Sequence, residues 1–140
     1  MDLPVPVPTD TTRPFWDGLR DGKVRLQYSP SSDQWVFYPR VLAPGTLADD
    51  LEWREISGRG SVYTYTIAYR PTSPAWRDRV PQVIAVVEVD EGARIPTELV
   101  QVAPEDVRVG LRVEPVFDRT GAGDTVLLRF KPSAQGQETA

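Results

Sequence analysis

Cysteine and histidine, the side chains that most often bind metals or act as nucleophile and base, are both absent from the 140-residue sequence. Without them the chain cannot form a Cys-His or Ser-His-Asp catalytic group, or a zinc site built from thiolates and imidazoles. No G-x-S-x-G sequence and no phosphate-binding P-loop occurs either. The sequence therefore excludes most hydrolase and thiolase mechanisms for this chain.

Carboxylates are the remaining side chains that could perform acid–base chemistry or bind a hard cation. They form three clusters, and each cluster falls at a predicted strand end or turn, where solvated acids are common. We therefore interpret the clusters as surface groups rather than as a catalytic pair. They are Asp49-Asp50-Glu52, Glu88-Asp90-Glu91 and Glu105-Asp106.

Two turns have the spacing, but not the residues, of a pair of metal-binding C-x-x-C knuckles. Ser29 and Ser32 are three positions apart in the first turn, and Ala43 and Thr46 in the second. Serine, proline and glycine are common in any loop, so the spacing alone fits two ordinary turns as well. The segment 26–53 around these turns is rich in aromatic residues but interrupted by prolines. A segment of this kind usually needs an additional link, such as a bound metal ion, to stabilise it.

A short helix is predicted ahead of an antiparallel ribbon. Thr12 precedes Pro14, and Phe15 and Leu19 then follow at near-helical spacing until the sequence 21–22, Asp-Gly, ends the helix. Residues 23–28 alternate between apolar and polar, which is the pattern of a half-buried strand. Residues 35–38 are expected to pair with them.

The rest of the chain predicts five strands, at 61–70, 82–90, 94–100, 111–118 and 125–131. The nearly continuous apolar run 82–90 indicates a strand buried on both faces, and Pro96 places the next strand at an edge or a bulge. A hairpin turn at 121–124 joins the last two strands. Five short antiparallel strands are typical of a closed barrel of the OB type. The expected fold is therefore mainly β: a short N-terminal helix, a degenerate rubredoxin-like ribbon and a five-stranded OB-fold barrel.

Length and composition fit one globular domain with a small appendage. No apolar run approaches the roughly 20 residues that span a bilayer, and the start of the chain lacks the features of a secretory signal. We therefore expect a cytoplasmic location and no membrane association. The net charge of −4 and the pI near 4.8 argue against a nucleic-acid partner.

Several segments, in their order and spacing, resemble the DUF35 family, whose members are OB-fold proteins with a rubredoxin-like zinc ribbon. The matching segments are 14–19 (PFWDGL), 26–27 (LQ), 35–40 (WVFYPR), 51–53 (LEW), 57–66 (SGRGSVYTYT), 81–92 (PQVIAVVEVDEG) and 109–113 (VGLRV). Ser29, Ser32, Ala43 and Thr46 stand where the family typically has its four zinc cysteines. Because none of the four cysteines is present, the metal binding of the family is not expected in this chain. We expect the ribbon to persist without zinc, held by packing among Trp35, Phe37, Leu42 and Trp53.

The resemblance also implies a function. DUF35 proteins typically act as partner subunits of thiolase-like enzymes, aldolases or MaoC-type hydratases on acyl-CoA substrates, including those of steroid side-chain degradation. This chain is thus expected to be a non-catalytic accessory subunit of a hetero-oligomer, with no cofactor of its own and an acyl-CoA substrate shared with its partner. Two alternatives stay open, a free-standing acyl-CoA or lipid binder and a single-strand nucleic-acid-binding OB module.

Candidate contact residues follow from side-chain chemistry. Interfaces concentrate aromatic residues, which points to Phe15, Trp16, Trp35, Phe37 and Tyr38 as the partner interface. Phosphates need cationic donors, which makes Arg40, Arg70, Arg77 and Arg79 candidates for binding CoA, although each could equally be a solvated arginine. The expected organisation is an arm and helix (1–22), a ribbon-like segment without metal ligands (23–54), the OB-fold domain (55–132) and a disordered tail (133–140).

Overall fold

The computed structural model describes residues 4–119 and 124–133, which form one α-helix and eight strands. Short 3₁₀ helices at Pro74–Arg79 and Pro104–Asp106 lie in the connections after the fourth and sixth strands. None of the described helices is long and apolar enough to cross a membrane. The elements are α1 (Arg13–Arg20), β1 (Val24–Ser29), β2 (Gln34–Val36), β3 (Glu52–Ile56), β4 (Gly60–Ala68), β5 (Gln82–Val89), β6 (Arg94–Leu99), β7 (Arg112–Asp118) and β8 (Leu127–Pro132).

Helix α1 begins and ends where the sequence predicts. Pro14 lies in its first turn, where the missing N–H has no intrahelical partner to lose. The backbone N–H of Asp21 closes the last turn, and Gly22 follows with φ of 74°, a left-handed value that favours glycine. The helix buries Phe15 and Leu19 on the side that faces the rest of the chain.

The ribbon is a three-stranded antiparallel sheet in the order β2-β1-β3. The predicted pairing of the first two strands is confirmed, with Gln27 opposite Val36. The third strand was not predicted: β3 pairs with the other edge of β1, and it crosses the predicted boundary between residues 54 and 55. β3 thus belongs to the ribbon, and residues 57–59 connect it to the first strand of the barrel.

The five remaining strands form the predicted closed barrel, in the order β4-β5-β6-β8-β7. The prediction that β5 is buried on both faces is wrong. Val83, Ala85 and Val87 are buried, but Ile84 is 42% exposed and Glu88 lies at the surface. A closed barrel has one interior, so only alternate residues of its strands enter the core.

Pro96 lies close to the shortest strand pairing in the barrel, as the chemistry of proline predicts. β6 pairs with β5 along its whole length, and there Pro96 stands opposite Val86. With β8, by contrast, β6 shares only the parallel pair Leu99 and Phe130. Proline has no N–H to donate to a neighbouring strand, so a position beside this short seam suits it.

One hydrophobic core connects the helix, the ribbon and the barrel. Phe15 and Leu19 of α1 pack in the same cluster as Leu26 of β1, Val62 of β4 and Phe130 of β8. Leu19 and Phe130 are 0% exposed. Because the cluster is continuous, the ribbon is held in place by burial against the barrel as well as by its own strands.

Two predictions concern residues outside this description. The turn predicted at 121–124 falls mostly on residues 120–123, and the predicted tail 133–140 falls mostly on residues 134–140; neither stretch is among the residues that the structure describes.

Among the described glycines, Gly60 leaves the least room for a Cβ atom. It pairs with Val89 of β5 on one side and with Val113 of β7 on the other. A Cβ atom at Gly60 would lie only 2.3 Å from the carbonyl oxygen of Glu88, which belongs to the backbone of the adjacent strand. The chain therefore needs glycine where β4 is paired on both sides.

Gly60→Ala is expected to lower the free energy of unfolding by roughly 2–3 kcal/mol, because one strand must move to admit the methyl group. Urea unfolding followed by circular dichroism measures the loss. Gly22→Ala is the control: Gly22 has a φ of 74° but nothing within 4 Å of the added Cβ, so the backbone strain alone should cost about 1 kcal/mol. Equal losses in the two variants would contradict the steric explanation.

Candidate functional site

The two turns with knuckle-like spacing meet in the structure. The first follows β1, and the second lies in the connection between β2 and β3. The hydroxyl oxygens of Ser32 and Thr46 are 2.8 Å apart, which joins the two turns directly. Ser29 and Ala43 are both 0% exposed. The two turns thus lie against each other, with no cysteine at any of the four positions.

These four positions do not fit a zinc ion. Serine and threonine offer neutral hydroxyls and Ala43 offers only a methyl group, whereas structural zinc sites use thiolates and imidazoles. Nor does any group of three or more acidic, cysteine or histidine residues suited to a metal occur in the described part of the chain. No chemistry of this ribbon is therefore assigned to a metal.

The five aromatic residues predicted at a partner interface are mostly used inside the chain. Phe15 is 3% exposed and meets Trp16, Phe37 and Tyr38 edge-on, with ring centroids 4.9, 5.6 and 6.3 Å away. Trp16 and Phe37 are partly buried against the core, as is Trp35, which also packs on another ring of the ribbon. Only Tyr38, at 44%, is well exposed. The amphipathic helix turns Phe15 inward, which removes that ring from any external contact in this structure.

A different apolar surface is exposed at the end of the ribbon. It consists of Tyr38, Val41, Leu42 and Leu47, which we call the ribbon-tip patch. Val41 is 76% exposed and Leu47 is 70% exposed. These residues line a shallow groove together with residues of the N-terminal arm. The expectation that Leu42 packs with the ribbon aromatics is wrong, because Leu42 is 40% exposed, whereas Trp35, Phe37 and Trp53 pack against the common core.

The four candidate CoA-binding arginines do not form one cluster. Arg77 and Arg79 lie on the 3₁₀ helix between β4 and β5, and Arg70 lies just before it. Arg40 is in the ribbon, where its backbone N–H and C=O bond to the buried side chain of Gln27. All four side chains are exposed, and none makes an ion pair or hydrogen bond with another residue in the described ranges.

The carboxylates predicted to be surface groups are mostly paired. Arg112 donates two hydrogen bonds of 2.8 Å to Asp90 and thereby lowers the pKa of that carboxyl. Arg94 lies 3.0 Å from Glu88. Glu91 accepts hydrogen bonds from the backbone and the hydroxyl of Ser57. These contacts tie strand ends together, and they give the acids structural partners rather than a substrate-facing site.

Comparison with known proteins identifies the family. The sequence pattern of the C-terminal OB-fold domain of ChsH2 matches residues 53–118. A DUF35 domain-containing scaffold protein of Methanocaldococcus jannaschii is 41% identical over 88 residues, which are 59% of this chain and 62% of that protein. Another, from Methanothermobacter thermautotrophicus, is 35% identical over 104 residues, which are 69% of this chain and 77% of that protein.

One longer relative has an enzymatic name. The alpha subunit of 3-oxo-4,17-pregnadiene-20-carboxyl-CoA hydratase from Mycobacterium tuberculosis is 32% identical over 106 residues. The match covers 74% of this chain but only 32% of that subunit. The chain therefore spans about a third of the hydratase subunit and less than two thirds of the Methanocaldococcus protein.

A solved structure supports the same conclusion. A chain of the Ltp2-ChsH2(DUF35) aldolase superimposes with a TM-score of 0.78 at 26% sequence identity, over 91% of this chain and 98% of that one. Helix, ribbon and barrel are thus shared as a unit. With this match and 35% identity across most of a DUF35 scaffold protein, the chain belongs to the DUF35 family of OB-fold proteins.

Proposed function

We propose that this chain is a non-catalytic accessory subunit that binds a thiolase-superfamily enzyme and supports its acyl-CoA site. The observation that carries the proposal is the match to a chain of the Ltp2-ChsH2(DUF35) aldolase, which extends over 98% of that chain. The relatives named as scaffold proteins and as a hydratase alpha subunit support a role beside an enzyme. The expected partner is a thiolase-like aldolase or thiolase, and a MaoC-type hydratase is the alternative.

The side chains of this chain support different roles for the two subunits, with the chemistry in the partner. The chain has neither cysteine nor histidine, and its described acids are largely engaged in contacts within the fold. The bond-breaking groups would then belong to the partner. This chain would contribute shape, orientation and a phosphate-binding surface to the complex.

The ribbon-tip patch is the surface we assign to the partner. It replaces the predicted set of aromatic residues, of which Phe15 is enclosed in the core. Contiguous exposed apolar groups mark protein contacts more reliably than single exposed residues do. The patch lies on a segment that bonds to the rest of the ribbon at Arg40 and at Thr46, and Tyr38 adds an amphipathic ring of the kind that interfaces favour.

The connection between β4 and β5 is the surface we assign to CoA. Arg70, Arg77 and Arg79 are exposed there, and none is neutralised by an ion pair within the described residues. Guanidinium groups bind phosphate through paired hydrogen bonds, and CoA carries three phosphates. Trp76 lies on the same 3₁₀ helix and is partly buried.

Affinity purification of the tagged chain from its native host tests the accessory role. The expected result is that an acyl-CoA enzyme of the thiolase superfamily elutes with the chain at near-equal amounts, as identified by mass spectrometry. Recovery of the chain alone at low salt would contradict the role. Saturable acyl-CoA binding by the isolated chain would then favour the free-standing binder.

Val41→Asp tests the docking surface. A buried charge in an apolar contact should weaken the complex by at least about tenfold, measured by titrating the variant into the purified partner. Val109→Asp is the matched control, since Val109 is 65% exposed in the connection before β7, outside the ribbon. If both variants bind like the unmodified chain, the ribbon-tip patch is not the interface.

Arg77→Gln combined with Arg79→Gln tests the CoA surface. The loss of two phosphate donors should weaken CoA binding by the assembled complex about tenfold, measured by calorimetry. Arg108→Gln, which removes an exposed arginine elsewhere, should leave the affinity unchanged. Unchanged affinity in the double variant would remove these arginines from the CoA site while leaving the accessory role intact.

A further inference from the structure

The two ends of the ribbon connection are tied together by the side chain of Asp50. Ser29, the last residue of β1, donates its hydroxyl to one carboxylate oxygen at 2.6 Å. The backbone N–H of Ser31 donates to the other oxygen at 2.8 Å. Asp50 lies only two residues before β3 begins, so these bonds close a loop of about 20 residues that contains β2 and both turns.

Each of these hydrogen bonds connects the first turn to a segment much later in the chain. Ser29 is 21 residues from Asp50 and Ser31 is 19 residues away, while the hydroxyl pair of Ser32 and Thr46 spans 14 residues. Ser29 is 0% exposed, and its hydroxyl oxygen also accepts a hydrogen bond from the backbone N–H of Ser32 at 3.3 Å. Three side-chain contacts therefore join the first turn to the returning chain, one at the buried hydroxyl of Ser29 and two at the surface.

We propose that the Asp50 carboxylate does in this chain what a metal ion does in a four-cysteine ribbon: it closes the two turns on each other. A zinc ion would link the positions now occupied by Ser29, Ser32, Ala43 and Thr46. Asp50 instead accepts hydrogen bonds from the hydroxyl of Ser29 and the backbone N–H of Ser31. Ser32 and Thr46 are hydrogen-bonded directly to each other. The metal site is thus replaced by a hydrogen-bonded anion rather than merely lost.

The electrostatics of the site agree with this geometry. The hydroxyl of Ser29, followed by the backbone N–H of Ser31, lowers the pKa of Asp50 from 3.8 to about 2. Hydrogen bonds to an ionised acceptor are stronger than those between neutral groups. Asp49, next in the chain, makes no ion pair or hydrogen bond with a residue in the described ranges and is exposed, so it provides a matched control.

Hydrogen exchange of the whole chain, followed residue by residue by NMR, tests the proposal. Asp50→Asn removes the charge and leaves only one of the two oxygens that accept these hydrogen bonds. We expect exchange at the amides of Ser31 and Leu47 to accelerate about tenfold, while the barrel amide of Val87 stays unchanged. Asp49→Asn should match the unmodified chain, and EDTA should have no effect. Equal exchange in the two variants, or loosening of the unmodified ribbon by EDTA, would overturn the proposal.

A four-cysteine variant keeps the proposal testable if Asp50→Asn does not fold. Ser29→Cys, Ser32→Cys, Ala43→Cys and Thr46→Cys together should restore a zinc site, detected as one zinc per chain by elemental analysis. With zinc bound, adding Asp50→Asn should leave exchange in the ribbon unchanged, and EDTA should then accelerate it. If Asp50→Asn still loosens the zinc-loaded ribbon, the carboxylate and the metal do not serve the same purpose, and the proposal fails.

Discussion

The continuous core that runs from α1 through β1 into the barrel is the constraint on which the rest of this structure depends. Leu19 and Leu26 are almost fully enclosed, and both belong to the same cluster as the barrel residue Phe130. The ribbon has only three short strands, and packing against further elements stabilises so small a sheet in water. By sharing the core of the barrel, the ribbon gains a stable base.

The shared core also determines which aromatic residues remain for other proteins. Phe15 holds the helix to the ribbon, and Phe37 packs beside it, so both rings contribute to folding. One group of exposed apolar residues lies past the end of β2, where the chain forms no regular element and Val41 and Leu47 are exposed. In this arrangement the barrel supports the ribbon, the hydrogen bonds of its turns connect the two sides of the tip, and the tip exposes apolar side chains.

Local patterns in the sequence predicted the elements but not their long-range relations. Alternation identified three barrel strands and β1, an apolar run identified β5, and Pro14 together with the Asp-Gly pair bounded the helix. The same patterns could not show that β3 pairs with β1, because that pairing joins residues about 30 positions apart. For β5, the apolar run predicted a strand but could not show whether a second layer of structure covers it. In the closed barrel the outward face of β5 stays exposed.

The candidate site was harder to predict for a related reason. Spacing placed Ser29, Ser32, Ala43 and Thr46 at the ends of a ribbon, and the structure brings Ser32 and Thr46 into contact. Asp50 belonged to an acidic cluster that looked solvated, since nothing local distinguishes it from Asp49. Its role depends on Ser29, 21 residues earlier. The apolar side chains of the tip could not be predicted either, because the prolines around them interrupt any helical or strand periodicity that would assign them to a face.

The most direct test of the account is hydrogen–deuterium exchange of the chain with and without its co-purified enzyme. If the ribbon tip is the docking surface, backbone amides in 38–47 should become protected in the complex, while the strands of the barrel that face away exchange at their free rate. Protection confined to the barrel, with 38–47 exchanging as in the isolated chain, would contradict the account and place the partner elsewhere.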